Sequence, residues 1–202
     1  MPHGALNFSF SGLVFYLMKV IRTDLPEVLI LEPNVFEDER GWFVESFNER
    51  VFQGTLKALG MPAPRLVQDN RSHSKKGVLR GLHYQRAPHP QDKLVSVTKG
   101  AIFDVAVDIR QGSATFGKWV GVELTADNRR ILWVPDGFAH GFLALEDGTQ
   151  VHYKVSDYYA KDCECSVHWA DPTIAVEWPR DGMDLIISEK DKEAPFLLDT
   201  LS

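Results

Sequence analysis

The chain has 202 residues, a length that predicts one domain able to bury its own core without disulfides or metals. Lys and Arg number 22 and Asp and Glu number 28, so the net charge is −6, which argues against a main role in binding nucleic acid or anionic membranes. Hydrophobic residues make up 44% and charged residues 25%, which excludes a wholly disordered chain. The longest apolar run, near 13–18, is far shorter than the ~18 residues needed to span a membrane.

The N-terminal segment, 1–17, differs in character from the sequence that follows. It has no basic stretch ahead of an apolar one, so we expect no secretory signal. We predict that 1–17 is an N-terminal extension, either foreign to the native chain or poorly ordered, and that 18–202 form a single domain. The two cysteines, Cys163 and Cys165, are too close in sequence for an unstrained disulfide. Free thiols and a reducing, cytoplasmic location are therefore expected.

Short β-type runs separated by turn residues dominate the chain from residue 28 onward. The predicted strands are 28–31, 42–47, 66–70, 78–85, 94–99, 102–109, 119–124, 131–134, 141–145 and 150–156. The sequence Lys75-Lys76-Gly77, between the third and fourth of these, predicts a hairpin turn. One face of 102–109 is apolar, whereas the other carries Asp104 and Asp108, which indicates a polar cavity or solvent on that side.

One segment has helical periodicity. Asn48 can cap its start, Gly60 and Pro62 can end it, and its apolar residues share one face. Those residues are Val51, Phe52, Leu56 and Leu59. Many short strands with frequent turns favour an all-β sandwich or barrel over alternating β–α units.

A first polar cluster comprises Gln68-Asp69-Asn70, the run Arg80-Gly81-Leu82-His83-Tyr84-Gln85, and Lys93. On an extended strand His83 and Gln85 share a face, and Arg80 lies on the other face unless the strand is bulged at Gly81. Taken alone, His83 fits a hydrogen-bonded core histidine better than a catalytic one. Arg80 and Lys93, taken singly, fit solvated cations.

A second cluster is Pro135-Asp136-Gly137-Phe138-Ala139-His140-Gly141-Phe142, a tight turn that delivers His140 onto a strand. Its Pro-x-Gly-x-x-His pattern resembles the second motif of cupins. The resemblance implies an all-β, cupin-type double-stranded β-helix (jelly-roll) barrel with one or more short peripheral helices. Most cupins bind a metal through three His and a Glu, but their first His-x-His motif reads His83-Tyr84-Gln85 here. We therefore expect no catalytic metal, although His89 could be argued as a third ligand.

Within this fold the chain resembles the dTDP-4-dehydrorhamnose 3,5-epimerase family. The two clusters carry the resemblance together with Tyr-Lys-x-Ser-Asp-Tyr-Tyr at 153–159 and with stretches at 36–41, 103–110, 115–117 and 188–191. The match runs from about residue 28 to about residue 195. It implies an isomerase without metal or cofactor that converts dTDP-4-dehydro-6-deoxy-D-glucose to dTDP-4-dehydro-L-rhamnose in dTDP-L-rhamnose biosynthesis.

Other functions stay open at this point. A mono-epimerase acting only at C3 or C5 in another deoxysugar pathway can have the same motifs. A metal-dependent cupin oxygenase or isomerase is disfavoured by Gln85. A non-catalytic sugar-binding barrel would have no need of a base, a cation and an opposing acid in one place.

The chemistry fits the residue types present. A 4-ketone acidifies the protons on C3 and C5, so inversion needs a base on one face, a stabilised enolate and an acid on the other face. The resemblance implies that His83 is the proton acceptor and Tyr153 the proton donor. Lys93 can place positive charge at the developing enolate oxygen. The resemblance also implies that Asp191 partners the histidine. Asp104 is a rival for that position, because it lies on the polar face of its predicted strand.

The resemblance further implies a set of substrate-binding residues and a homodimer that exchanges N-terminal strands. The binding residues are Arg40, Glu45, Gln68, Asp69, Asn70, Arg80, Lys93, His140, Tyr159, Glu164 and Lys190. In this set Arg80 would contact phosphate and Tyr159 would stack on thymine.

Overall fold

The computed structural model describes residues 18–180 and 182–201, so the predicted extension at 1–17 lies outside the described residues. The strands are β1 (Lys19–Arg22), β2 (Leu29–Glu32), β3 (Val35–Asp38), β4 (Gly41–Val44), β5 (Gln68–Ser74), β6 (Val78–Gln85), β7 (Lys93–Lys99), β8 (Ala101–Asp108), β9 (Trp119–Thr125), β10 (Ile131–Val134), β11 (Phe138–Ala144), β12 (Thr149–Val155), β13 (Glu164–Ser166) and β14 (Ile186–Ile187). The helices are α1 (Glu49–Ala58) and α2 (Glu189–Lys192), and 3-10 turns lie at Lys161–Cys163 and Leu197–Leu201.

Two six-stranded sheets form the barrel. The first has the order β1-β2-β10-β7-β12-β5, and the second has the order β13-β6-β11-β8-β9, with β14 added beside β6. Apolar side chains from both sheets meet in one core, including Val95 and Leu132 from the first and Ile102 and Phe142 from the second. The predicted cupin-type jelly roll is confirmed. No helix in the two described ranges is long and apolar enough to cross a membrane.

Each sheet is also covered on its outer side. Helix α1 packs on the first sheet, with the Phe52 ring edge-on to Trp133 at 5.1 Å between centroids. As predicted, Asn48 caps this helix, because its side chain accepts a hydrogen bond from Val51 N at 3.2 Å. The C-terminal segment covers the second sheet, where Ile174 and Trp178 join its outer core.

The prediction of a hairpin at Lys75-Lys76-Gly77 is wrong. Strand β5 pairs with β12 in the first sheet, whereas β6 pairs with β11 in the second, so this turn carries the chain between sheets. Gly77 has φ +81°, and a Cβ there would lie 2.3 Å from the Asp184 carbonyl oxygen. A local turn signal shows where the chain reverses, but the partner of each strand is set by distant residues.

Other sequence predictions fall short at the edges of the sheets. Strands β1, β3, β13 and β14 were not predicted, and β11 begins three residues before the predicted start at 141.

Neither Asp104 nor Asp108 reaches solvent, since both are fully buried. Asp108 accepts hydrogen bonds from Arg110, Ser113 and Thr115 and so anchors the turn after β8.

Strands β3 and β4 form a separate two-stranded hairpin. Its aromatic side chains are unusually exposed: Phe36 is 53%, Trp42 56% and Phe43 68% accessible. The guanidinium of Arg129 lies 4.5 Å from the Trp42 ring centroid. This hairpin therefore presents a large apolar surface outside the barrel core.

Candidate active site

A pocket of about 290 Å³ opens between the two sheets. Three of the four predicted catalytic residues line it: His83 on β6, Lys93 on β7 and Tyr153 on β12. His83 belongs to the second sheet, whereas Lys93 and Tyr153 belong to the first. A smaller groove at Trp169 and Trp178 contains none of the predicted site residues.

A bulge in β6 lets both Arg80 and His83 reach this pocket. His140 on β11 pairs with His83, and Phe142 pairs with Arg80, so Gly81 and Leu82 stand opposite one residue, Gly141. Gly81 has φ +126°, and a Cβ there would lie 2.6 Å from the Gly141 Cα. The two glycines allow the strands to approach closely enough for the bulge. The sequence analysis required such a bulge at Gly81 for Arg80 and His83 to lie on the same side of the strand.

His83 and His140 each contact a different carboxylate. His83 Nε2 lies 2.6 Å from Asp191 Oδ1, and His140 Nε2 lies 2.7 Å from Asp104 Oδ1. Of the two candidates, Asp191 is thus the residue that the structure places on His83. The second oxygen of Asp104, Oδ2, is buried without a hydrogen-bond partner in the described part of the chain.

The pKa of Asp191 lies below its ordinary value. Burial, the largest single effect, would by itself raise this pKa, but the hydrogen bond and charge interaction with His83, together with hydrogen bonds from the Ser188 side chain and the Gly81 backbone, outweigh it. At the start of α2 the Ser188 side chain also accepts a hydrogen bond from Asp191 N, which fixes the backbone that carries this carboxyl. The carboxylate behind His83 is therefore held in its ionised form.

Lys93 is buried and reaches across the barrel. Its Nζ donates to the His83 carbonyl oxygen at 3.2 Å. Burial lowers the pKa of Lys93 to about 8, although Asp104, Asp136 and Asp92 act in the opposite direction. For Tyr153, whose charged form is the anion, burial raises the pKa, so its hydroxyl keeps its proton at neutral pH.

Besides Lys93, six of the predicted binding residues line the pocket. They are Gln68, Asn70, Arg80, His140, Tyr159 and Glu164. Arg80 Nε donates to Ser74 Oγ at 3.2 Å, and the Tyr159 hydroxyl donates to Glu164 Oε2 at 3.2 Å. Lys190 is placed indirectly, through an ion pair with Glu164 at 2.7 Å.

Besides Lys190, three predicted binding residues lie outside this pocket. Asp69 is on the outer face of β5, bonded to Lys154 Nζ at 2.8 Å, because alternate side chains of a strand point to opposite faces. Arg40 pairs with Asp38 at the exposed tip of the β3–β4 hairpin, and Glu45 follows that hairpin, also exposed.

The pocket also contains residues that sequence reasoning missed, among them Ser72, Gln91 and Phe142. Ser72 could have been found, because it continues the inward alternation of Gln68 and Asn70 along β5.

The candidate metal ligands do not converge. In 18–180 and 182–201 no group of three or more His, Cys, Asp or Glu side chains is arranged to hold a metal ion. His89, the suggested third ligand, instead contacts Asp157 through Nδ1 at 3.0 Å. Gln85, at the second position of the His-x-His motif, directs its amide at backbone groups of nearby loops.

Curated relatives share most of the chain. A family model described as dTDP-4-dehydrorhamnose 3,5-epimerase matches residues 22–199. The enzyme of that name from Escherichia coli K12 is 55% identical over 184 residues, which are 91% of this chain and 96% of the relative. The one from Methanothermobacter thermautotrophicus is 51% identical over 175 residues, 86% of this chain and 91% of the relative.

Solved structures are also similar to this chain over most of its length. A dTDP-6-deoxy-D-glucose-3,5-epimerase from Legionella pneumophila, in complex with dTDP-4-keto-L-rhamnose, is 49% identical with a TM-score of 0.84, covering 90% of this chain and 93% of that one. A 3'-monoepimerase from Streptomyces bikiniensis, in complex with dTDP-quinovose, is 33% identical with a TM-score of 0.81, covering 89% of each chain. The chain is therefore an isomerase that belongs to the dTDP-4-dehydrorhamnose 3,5-epimerase family.

Proposed function

We propose that this chain inverts both C3 and C5 of dTDP-4-dehydro-6-deoxy-D-glucose and so forms dTDP-4-dehydro-L-rhamnose for dTDP-L-rhamnose biosynthesis. One observation carries the proposal: the base and the acid come from opposite sheets. His83 lies on β6 of the second sheet, Tyr153 lies on β12 of the first, and the pocket lies between them. A sugar ring held there has a proton acceptor on one face and a proton donor on the other, which is what an inversion requires.

Each inversion proceeds through an enolate. His83 takes the proton from the carbon next to the ketone, and the electron pair of the broken C–H bond moves onto the carbonyl oxygen. Lys93 stabilises the negative oxygen, since its ammonium is buried and fixed in place. Asp191 stabilises the imidazolium that forms on His83. Tyr153 then protonates the carbon from the opposite face, which restores the ketone.

Two further pocket residues bind the nucleotide part of the substrate. Arg80 donates through Nε to Ser74 and through one terminal nitrogen to the His73 carbonyl oxygen at 3.4 Å, and its other terminal N–H groups can bind phosphate oxygens in pairs. Tyr159 offers an aromatic face for thymine at the pocket rim.

Proton NMR of dTDP-4-dehydro-6-deoxy-D-glucose with the enzyme in D₂O tests the proposal. We expect deuterium at both C3 and C5, and inversion at both carbons. His83→Asn is the control, because asparagine keeps hydrogen bonding but cannot accept the proton. Labelling and inversion at one carbon only would instead indicate a mono-epimerase, the alternative that the Streptomyces relative illustrates. The absence of labelling would exclude both.

A homodimer with exchanged N-terminal strands is part of the proposal. It is supported by the exposed aromatic face of the β3–β4 hairpin and by the position of Arg40 and Glu45, outside the pocket of their own chain. Exchange of this hairpin would cover the apolar face and bring both residues to the other subunit's pocket. Light scattering should find a dimer, and a Trp42→Ser, Phe43→Ser variant should be monomeric and bind dTDP more weakly.

We also propose a cytoplasmic location and catalysis without metal. Cys163 and Cys165 are both free thiols, as a reducing compartment allows. Activity should survive exhaustive dialysis against a chelator, and metal analysis should find no stoichiometric ion. Loss of activity that one added metal restores would contradict this view.

A further inference from the structure

Gln85 makes three hydrogen bonds to the backbone of the loops that border the pocket. Its Nε2 donates to the carbonyl oxygens of His89 at 2.7 Å and Tyr158 at 3.2 Å. Its Oε1 accepts from Ala160 N at 2.8 Å. The side chain is only 5% exposed, so all its hydrogen-bonding groups are satisfied by protein in a buried place.

A second glutamine holds the neighbouring residue from the opposite sheet. Gln68 Oε1, from β5, accepts from Tyr159 N at 3.1 Å, while Gln68 Nε2 donates to Asn70 Oδ1 at 3.0 Å. Two consecutive backbone N–H groups, those of Tyr159 and Ala160, are thus bound by amides from the first and second sheets. The backbone on either side of the Tyr159 side chain is fixed to both walls of the barrel.

The Tyr159 ring is fixed at its other end as well. Its hydroxyl donates to Glu164, which forms an ion pair with Lys190. A flat side chain held at its backbone and at its tip offers a preorganised face, and a ligand that stacks on it has little ordering entropy left to lose.

We propose that Gln85 is a positioning residue for nucleotide binding: it fixes the 158–160 segment so that Tyr159 presents its ring to the base of the substrate. The inference rests on the proposed function, since it takes Tyr159 as the platform for thymine. It also explains the broken metal motif, because the side chain at the second ligand position is committed to this loop.

Calorimetry with dTDP and with inorganic pyrophosphate tests the proposal. Gln85→Glu keeps the size of the side chain and an acceptor for Ala160 N, but it places an oxygen against two carbonyl oxygens. We expect dTDP to bind roughly tenfold more weakly, since stacking on an aromatic side chain contributes on this scale, and pyrophosphate binding to be unchanged. The KM for the nucleotide sugar should rise likewise, with kcat nearly constant. Gln53→Glu is the matched control, because Gln53 lies on α1, away from the pocket, and its side-chain amide donates to the Pro64 carbonyl oxygen.

A double-mutant cycle tests whether Gln85 acts on nucleotide binding through Tyr159. In a Tyr159→Ala background, Gln85→Glu should cause no further loss of dTDP affinity. An unchanged dTDP affinity in the single variant, an equal loss for pyrophosphate, or additive losses in the cycle would each overturn the inference while the wild type remained an active epimerase. A wild type that neither binds dTDP nor labels the sugar would overturn the proposed function itself, and the inference with it.

Hydrogen exchange of the wild type provides a test that does not depend on variants that fold. The Tyr159 and Ala160 amides should exchange slowly in the ligand-free enzyme, and dTDP should slow them little further. Fast exchange that only dTDP suppresses would mean that the ligand, and not Gln85, orders this segment.

Discussion

His83 Nε2 and Asp191 Oδ1 approach to 2.6 Å although the residues are 108 positions apart in sequence. Strand β14 produces this contact, because it pairs in parallel with the start of β6, with Ile187 opposite Leu79. Helix α2 begins directly after β14 and turns Asp191 onto the histidine. The base is thereby linked to the C-terminal segment.

Replacing Asp191 with asparagine should reduce kcat by about 10²-fold, a typical size for lost proton-transfer assistance. The amide leaves the imidazolium uncompensated and no longer fixes the tautomer of His83. KM should change little, because Asp191 does not line the pocket. Steady-state kinetics would check this, with Glu189→Gln as the control on the same helix, where the carboxylate pairs with Lys192. Equal losses in both variants would point to general damage to α2.

Arg80→Lys should weaken dTDP binding about tenfold, because lysine keeps the charge but loses the paired N–H donors. Calorimetry needs no turnover and measures this directly. Arg65→Lys is the control, since Arg65 pairs with Glu49 at the surface. An unchanged affinity for dTDP in the Arg80 variant would show that Arg80 contacts the sugar or serves the fold.

The close approach of Gly81 and Gly141 should be sensitive to a single methyl group. A Cβ at Gly141 would lie 2.7 Å from the Arg80 carbonyl oxygen, so Gly141→Ala should lower the free energy of unfolding by about 1–3 kcal/mol. Gly54→Ala is the matched control: nothing lies within 4 Å of its Cβ position inside α1, and alanine should stabilise the helix by about 0.5–1 kcal/mol. Urea unfolding compares the two, and a neutral Gly141→Ala would mean that the bulge can relax.

Local signals predicted much of this fold and of the pocket. The cap at Asn48 predicted α1, and alternation placed most of the central strands. The bulge at Gly81 was foreseen only as a condition, because a glycine permits a bulge but does not require one. The partner of His83 could not be derived from local pattern, since the pairing of β14 with β6 depends on residues over 100 positions apart. Asp69 was grouped with its motif neighbours although alternation alone predicts that it faces away from them.

Lys93 should set the basic limb of the pH profile. A lysine is charged below its pKa and neutral above it, and burial lowers the pKa of this one to about 8. The enolate oxygen needs the charged form, so kcat should fall above pH 8, by about tenfold per pH unit. Lys93→Arg should keep its charge throughout, so its residual activity should not fall between about pH 8 and 10. If kcat still falls above pH 8 in this variant, the titration of another group causes that fall.

Tyr153→Phe should separate the two halves of the inversion. Enolisation needs only a base and a stabilised oxyanion, which His83 and Lys93 supply, whereas inversion also needs a proton from the opposite face. Phenylalanine fills nearly the same volume against the barrel core, so the variant should fold and bind nucleotide. His83 can return deuterium to the face from which it took the proton, so label should enter the sugar with configuration retained.

The inverted product should meanwhile fall by about 10²-fold or more, the range of a lost general acid. NMR in D₂O measures labelling and configuration in one experiment, and Tyr158→Phe is the control because Tyr158 is exposed beside the pocket. If labelling is lost in step with inversion, Tyr153 takes part in enolisation itself. If inversion continues undiminished, water or another residue delivers the proton, and Tyr153 is not the general acid.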